Sequence, residues 1–395
     1  MGSERGAVTI IVVWAIAIIG IIVSFMFLRT EAEWASAISF QTGMKFHQAA
    51  EAALHERLAF LTTDDTAFDS FQDPWYGGKN GFVQLERDGY KIVVAAEDEG
   101  SKPNLNLISE KGLQMITKGK VSINPILDWR DTDSEPREEG AETSYYQSLK
   151  TPYKSRNGFF STTAELKMLK GGEKLYAALA PEVTVFGRIN PNTIDSVTFA
   201  TFLSSIGGFE NYWIERAKEE FDVYKRKQPQ GFRFKSMDDF ESSAFTIERR
   251  DRMKPFLRFD GACNVNLVSK TGLEVILKEA GYPDGLAAQL INRRNQQPFQ
   301  TQAEINMVLT NANRSIRNPQ DYLTVVSTII LYRIWVSKGA QQYYLEAVEE
   351  RFQAGVKKEW QVHPLAWREL KNKEVPEPPG FEPEEEAGKS DTNGE

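Results

Sequence analysis

From Ala7 to Leu28 the chain runs for 22 residues without a charge, directly after the short leader Met1–Gly6. At about 1.5 Å per helical residue the run is about 33 Å long, close to the roughly 30 Å hydrocarbon core of a bilayer. It can span a membrane once and so anchors the chain at its N-terminus. A secretory signal would show a shorter apolar core followed by a small-residue cleavage site. Here the apolar positions continue instead at roughly helical spacing, through Trp34, Ile38, Met44, Phe46, Ala53, Leu54, Leu58 and Leu61. The spacing predicts one helix over 7–62, with its membrane-spanning part at 7–28.

Outside this helix the composition is that of a globular protein. Lys and Arg number 47 against 55 Asp and Glu, a net charge of −8 that offers no surface for a polyanion. Cys263 stands alone, so no disulfide can close within the chain. His47, His55 and His363 are scattered, without the spacing of a zinc cluster or a nucleophile pair. The tail 373–395, rich in Pro, Glu and Gly, cannot bury enough apolar surface to offset its ordering entropy and is expected to be disordered. Charges beside the apolar run are mixed, Glu4 with Arg5 and Arg29 with Glu31 and Glu33, so the positive-inside rule gives little direction. The brevity of the leader puts the bulk of the chain on the outer side.

Phe82–Glu86 and Tyr90–Val94 bracket Asp88-Gly89, a pair suited to a tight hairpin turn. Tyr322–Ser337 is rich in β-branched and aromatic residues, turns at Lys338-Gly339, and resumes through Gln342–Phe352. Strands near both ends, at 63–100 and 319–372, with helices between, predict an α+β sheet domain interrupted by a helical insertion at 101–318. Inside the insertion, Asn104-Leu-Asn-Leu-Ile-Ser-Glu-Lys-Gly-Leu113 matches Asn264-Val-Asn-Leu-Val-Ser-Lys-Thr-Gly-Leu273, and Asn190-Pro-Asn-Thr193 is a weaker third start. Each start is followed later by an aromatic and a helix-capping signature, at Phe160–Leu166, Phe234–Phe240 and Phe299–Ile305. The spacing predicts three related helical units. The unit 264–309 is similar to the helix-hairpin-helix family, which grips a nucleic-acid phosphate on backbone amides. Against that, Asp284 stands where a phosphate would approach and Pro283 removes a donor.

The richest local chemistry lies in the acidic loop 128–142. Asp128, Asp131, Asp133, Glu135, Glu138, Glu139 and Glu142 crowd together with only Arg130 and Arg137 to offset them. Hard oxygen ligands in this density suit Ca²⁺. Counted from Asp131, the acids Asp133, Glu135 and Glu142 fall at the third, fifth and twelfth positions, as in an EF-hand. The sixth position is Pro136 where that motif has Gly, and the sequence announces no flanking helix pair. The competing reading is a solvated acidic loop neutralised by its arginines. Catalysis would need an acid held in an apolar setting beside an ionised partner, and a hydrophilic loop does not supply one.

The leader ending in Gly6, the loop Asp128-Trp129…Asp131…Asp133…Glu135-Pro136-Arg137…Gly140-Ala141-Glu142 with Tyr145 and Tyr146, the Asn-x-Asn starts and Trp367-Arg368 together resemble the type II secretion system minor pseudopilin of the K type. The resemblance covers nearly the whole chain apart from the tail. It implies a pilin-like α/β domain split by a helical, SAM-like or helix-hairpin-helix-like insertion. It also implies structural Ca²⁺ in the acidic region, with Asp128, Asp131, Asp133, Glu135 and Glu142 as candidate ligands, and no catalytic residues. Prepilin peptidase would cut between Gly6 and Ala7, and the new amino terminus would be methylated. The partners implied are the I- and J-type minor pseudopilins, the major pseudopilin and the inner membrane, with the soluble domain in the periplasm. Ala7 departs from the usual first mature Phe or Met. Ile11 stands at the fifth mature position, where ordinary pilins carry a Glu that pairs with a neighbour, and K-type subunits also lack it. A subunit at the tip has nothing above it to pair with, and a bulky insertion is harmless there. The alternative is a membrane-tethered helix-hairpin-helix protein that binds DNA; a tethered metal-dependent hydrolase lacks a convincing base.

Overall fold

The computed structural model describes residues 3–78, 80–310, 318–354 and 359–380, with side chains from Ile11 onward. One helix, α1 (Ser3–Thr63), carries the apolar run and continues without interruption onto the sheet. From Ile11 it is long and apolar enough to cross a membrane, and residues 11–40 are exposed along their whole length. Contact with the rest of the protein begins only where the sequence changes character. Phe46, Ala50, Ala53, Leu54 and Leu61 lie on one face and are buried, and the two alanines let the helix backbone approach the sheet closely.

Five antiparallel strands in the order β1-β2-β5-β6-β7 receive that face. They are β1 (Phe82–Arg87), β2 (Tyr90–Asp98), β5 (Ile329–Lys338), β6 (Gln341–Ala354) and β7 (Glu359–Lys371). The β1–β2 turn places Asp88 and Gly89 at φ of 53° and 73°, the left-handed geometry of a two-residue hairpin. Strand alternation sorts the faces. Ile92, Val94, Ile330, Tyr332, Ile334 and Leu345 pack under α1, whereas Ile329, Leu331 and Val348 meet Phe186 on the far side. Residues 373–380, which composition assigned to a disordered tail, lie against this sheet, where Trp335 Nε1 donates to Pro376 O at 2.8 Å. Residues 381–395 of that tail lie outside the described residues.

Between the adjacent strands β2 and β5 the chain leaves the sheet to build a helical module. Its helices are α2 (Glu110–Thr117), α3 (Asn124–Arg130), α4 (Thr143–Gln147), α5 (Gly172–Leu179), α6 (Ser196–Ile206), α7 (Asn211–Lys227) and α8 (Ile247–Met253). Then follow α9 (Lys270–Glu279), α10 (Leu286–Gln296) and α11 (Gln302–Thr310). A two-residue parallel pair, β3 (Cys263–Asn264) with β4 (Leu323–Thr324), closes the module. Three separate apolar cores form within it, centred on Trp129 and Tyr146, on Phe199 and Phe221, and on Leu273 and Phe299.

The Asn-x-Asn starts are one structural device used three times. In each, the second Asn exchanges two hydrogen bonds with the backbone of the later Phe. Asn106 pairs with Phe160, Asn192 with Phe234 and Asn266 with Phe299, at 2.6–3.0 Å. The first Asn accepts from the backbone N–H of the second at 2.9–3.0 Å. Its own amide reaches out of the unit, from Asn104 to Phe186 O, from Asn190 to Asp260 O and Asp321 O, and from Asn264 to Asp69 O. Ser109, Asp195 and Ser269 then cap α2, α6 and α9 with the same geometry. Each start thus ties a loop to a distant Phe and launches a helix, which explains why the repeat survives in residues that are neither apolar nor charged.

Candidate metal centre

The acidic loop hangs between α3 and α4, two short helices that the sequence did not announce. Trp129 fixes its root. It is buried, packs edge-on against Tyr146 with ring centroids 5.3 Å apart, and donates from Nε1 to Glu165 at 3.3 Å. Asp128, one residue earlier, is completely buried and accepts from Arg137 NH1 at 2.7 Å, Arg137 N at 3.2 Å and Ala141 N at 2.8 Å. It is the internal clamp of the loop.

The candidate ligands divide accordingly. Oxygens of Asp131, Asp133 and Glu142 lie within 4.8 Å of one another. Ligand oxygens at about 2.4 Å from Ca²⁺ can be no more than about 4.8 Å apart, so one ion could touch all three. Asp128 is not in this group, because its lone pairs already serve Arg137 and Ala141. Glu135 is not in it either; its backbone N–H donates to Asp133 Oδ1 at 2.9 Å while its own side chain is exposed. Asn157 and Ser155 close the other side, Asn157 Nδ2 donating to Asp133 O at 2.6 Å and Ser155 Oγ to Glu142 Oε2 at 3.2 Å.

Two observations fit a cation here better than a merely solvated loop. Asp131 Oδ1 and Glu142 Oε1 are buried and have no hydrogen-bond partner among the described residues, an expensive state for carboxylate oxygens. Burial also raises the carboxyls of both residues above the ordinary range, against the pull of Arg137 on Asp131 and of Ser155 on Glu142, with neighbouring acids adding to the rise. Arg137 bridges Asp128 and Asp131 and supplies one positive charge. Asp133 and Glu142 make no ion pair with a basic side chain among the described residues. A divalent ion held by Asp131, Asp133 and Glu142 would supply charge neutralisation and a rigid tie across the loop.

A second acidic cluster, Asp64, Asp69 and Asp73, was not singled out in the sequence, and nothing in its spacing marks it. Here the counter-charge is present. Buried Arg351 of β6 pairs with Asp69 and approaches Asp64 at 3.6 Å. Desolvation pushes the Asp69 carboxyl up to about 7 despite Arg351. Its backbone carbonyl takes the amides of Asn264 and Asn266 at 3.1 and 3.0 Å. This cluster pins the third helical unit to the end of α1 and to the sheet, and reads as a structural ion network.

At the hairpin that resembles a nucleic-acid motif, a carboxylate stands at the start of a helix. Gly285 (φ 91°) starts α10, and beside it Asp284 is held by Lys278 at 2.9 Å, a carboxylate at the approach a phosphate would need.

A family model described as type II secretion system (T2SS), protein K, matches residues 104–188, the first helical unit with the acidic loop. A protein of Escherichia coli (strain K12), provisionally named type II secretion system protein K, is 28% identical over 208 residues, 46% of this chain and 63% of that protein. The match therefore spans somewhat less than two thirds of that relative's length. Type II secretion system protein K of Pseudomonas aeruginosa is 26% identical over 250 residues, 55% of this chain and 74% of its own. Among solved structures, the GspK-GspI-GspJ complex of the type 2 secretion system of enterotoxigenic Escherichia coli aligns over 85% of this chain and 98% of the matched chain, at 13% identity and a TM-score of 0.49. Through residues 104–188, and along the lengths shared with these relatives, the chain is similar to type II secretion system protein K.

Proposed function

We propose that this chain is a non-enzymatic minor pseudopilin that caps a type II secretion pseudopilus and supports protein export. The observation that carries the proposal is the joining of two parts in one chain. A single exposed apolar helix runs unbroken into the sheet domain, and the inserted helical unit has the sequence of a protein K domain. In this reading prepilin peptidase removes Met1–Gly6, the new terminus at Ala7 is methylated, and α1 packs in the inner membrane against α1 of I- and J-type companions and the major pseudopilin. The soluble part stands in the periplasm. Ca²⁺ at Asp131, Asp133 and Glu142 stiffens the acidic loop and takes part in no turnover.

The test is co-expression with a prepilin peptidase and with I- and J-type pseudopilins. The mature N-terminus is expected to begin at Ala7, and the companions are expected to co-purify. Retention of Met1–Gly6 together with purification as a lone subunit would overturn the proposal. A salt-sensitive shift of DNA mobility would instead favour a nucleic-acid role, which the charge balance and Asp284 both oppose.

A further inference from the structure

Where the three helical units meet the sheet they leave a cavity of about 160 Å³. It lies among the repeat starts themselves. Asn104 of the first unit, Asn190 of the second and Cys263, the residue before Asn264 of the third, all line it, and Ile329 of β5 closes it from the sheet. We propose that this cavity is a binding site for a small, uncharged, apolar molecule of single-ring size.

The chemistry of the lining sets the class of ligand. Leu107, Ile108, Phe186, Ile194, Val275 and Ile276 make the walls apolar. The charges at the rim are already matched inside the protein. Lys102 pairs with Glu97 at 2.8 Å and Glu99 at 2.9 Å, Arg188 with Glu350 at 3.0 Å, Arg258 with Asp260 at 3.1 Å, and Asp321 with Arg233, while Glu279 accepts from the backbone N–H and hydroxyl of Ser109. The amides of Asn104 and Asn190 are committed to Phe186 O and to Asp260 O and Asp321 O. An ionic ligand would find no unmatched partner and would lose its hydration. A strongly hydrogen-bonding one would find polar groups that are already engaged within the protein, beside apolar walls and the weak S–H donor of Cys263.

Size sets the rest. An apolar cavity of about 150 Å³ lined by Leu, Ile and Phe holds benzene, and this one is of that order. The apolar walls that face this partly open space lack dispersion contacts there, and an apolar guest restores them. Because the walls belong to all three units and to β5, a guest would bind only when the units are docked together.

The probe is benzene, supplied to the full chain in detergent as vapour at fixed pressure, so that its activity does not depend on what the detergent absorbs. Two readouts are followed, the rate of maleimide reaction at Cys263 and the melting temperature. At twice its dissociation constant benzene should slow the reaction about threefold and raise the melting temperature. Ala262→Leu, which puts a larger side chain into the cavity, should fold and show neither response. If that variant does not fold, Ile276→Phe from another wall serves the same purpose. An unchanged rate and melting temperature in the wild type, or an undiminished benzene response in a folded filled variant, would overturn the proposal. Neither outcome bears on processing or companion binding, so this inference stands or falls apart from the proposed function.

Discussion

Asp128 and Gly140 meet so closely that a Cβ on Gly140 would stand 1.9 Å from Asp128 Oδ2. The loop returns over the buried carboxylate only because residue 140 has no side chain, and Ala141 can then donate its N–H to the same oxygen. Gly140→Ala should push the loop off this clamp and cost about 2–4 kcal/mol of stability, the range for disrupting a buried charged hydrogen-bond network. Urea unfolding followed by Trp129 fluorescence checks it. A loss under about 0.5 kcal/mol, the size of an ordinary surface change, would show that the loop has room to move.

Chelation should lower the melting temperature of the wild type. At an ion concentration a hundredfold above the dissociation constant, the stabilisation removed is about 2.7 kcal/mol. Asp133→Asn and Glu142→Gln should each abolish the difference between calcium and chelator, while Glu135→Gln, whose carboxylate faces solvent, should keep it. The pH dependence has a definite sign. Asp131 and Glu142 have carboxyls raised in the fold, so without the ion their contribution to stability is present at low pH and is lost as pH rises through the raised values. With Ca²⁺ present the ion replaces those protons, and stability should rise with pH over the same interval.

Glu349 is buried on β6 at the register shift opposite Pro364, and burial alone pushes its carboxyl from 4.5 up to about 7. Its contribution to stability is complete below about 4.5 and is lost as pH rises through about 7. Glu349→Gln should therefore gain on the order of 1 kcal/mol over the wild type at pH 8 and nothing near pH 4. Equal stability curves at both pH values would mean that the wild-type side chain reaches water.

Asn106→Ala, Asn192→Ala and Asn266→Ala should behave as one experiment performed three times. Each leaves a buried Phe N–H and C=O without partners, at about 1–3 kcal/mol per group. Hydrogen exchange should accelerate first around Phe160, Phe234 or Phe299 respectively. Loss of protection spread evenly over the whole module in every variant would mean that the three units do not open separately.

Two truncations test the contact that the described end of the chain makes with the sheet. Ending the chain at Asn372 removes Pro376 from Trp335 and should lower the melting temperature below that of a chain ended at Gly380, which keeps this contact. Calorimetry of both, side by side, decides the matter.

Much of this architecture is legible in the residues, and the exceptions have physical causes. The apolar run, the Asp88-Gly89 hairpin and the turn at Gly339 are local signals, set by hydropathy and by φ, and the structure follows them. The Asn-x-Asn repeats were visible as pattern, but their purpose was not, because the partners Phe160, Phe234 and Phe299 lie 33 to 54 residues away. The division of the acidic loop was hidden for the same reason. Spacing put Glu135 beside Asp131, Asp133 and Glu142 and the family resemblance added Asp128, and only the fold turns Asp128 inward to Arg137 and Glu135 outward to solvent. The cluster Asp64, Asp69 and Asp73 gave no signal, since its meaning depends on Arg351, nearly three hundred residues further on. Residues 373–380 read as disordered because composition counts the segment's own apolar content and ignores the indole of Trp335 waiting on the sheet.

Helix α1 holds 61 residues in one piece, about 90 Å from end to end, and contains no proline. Its exposed apolar part and the stretch packed beneath the strands belong to the same shaft, with no break between them. A displacement or rotation of its N-terminal end is therefore passed to the sheet through one continuous helix.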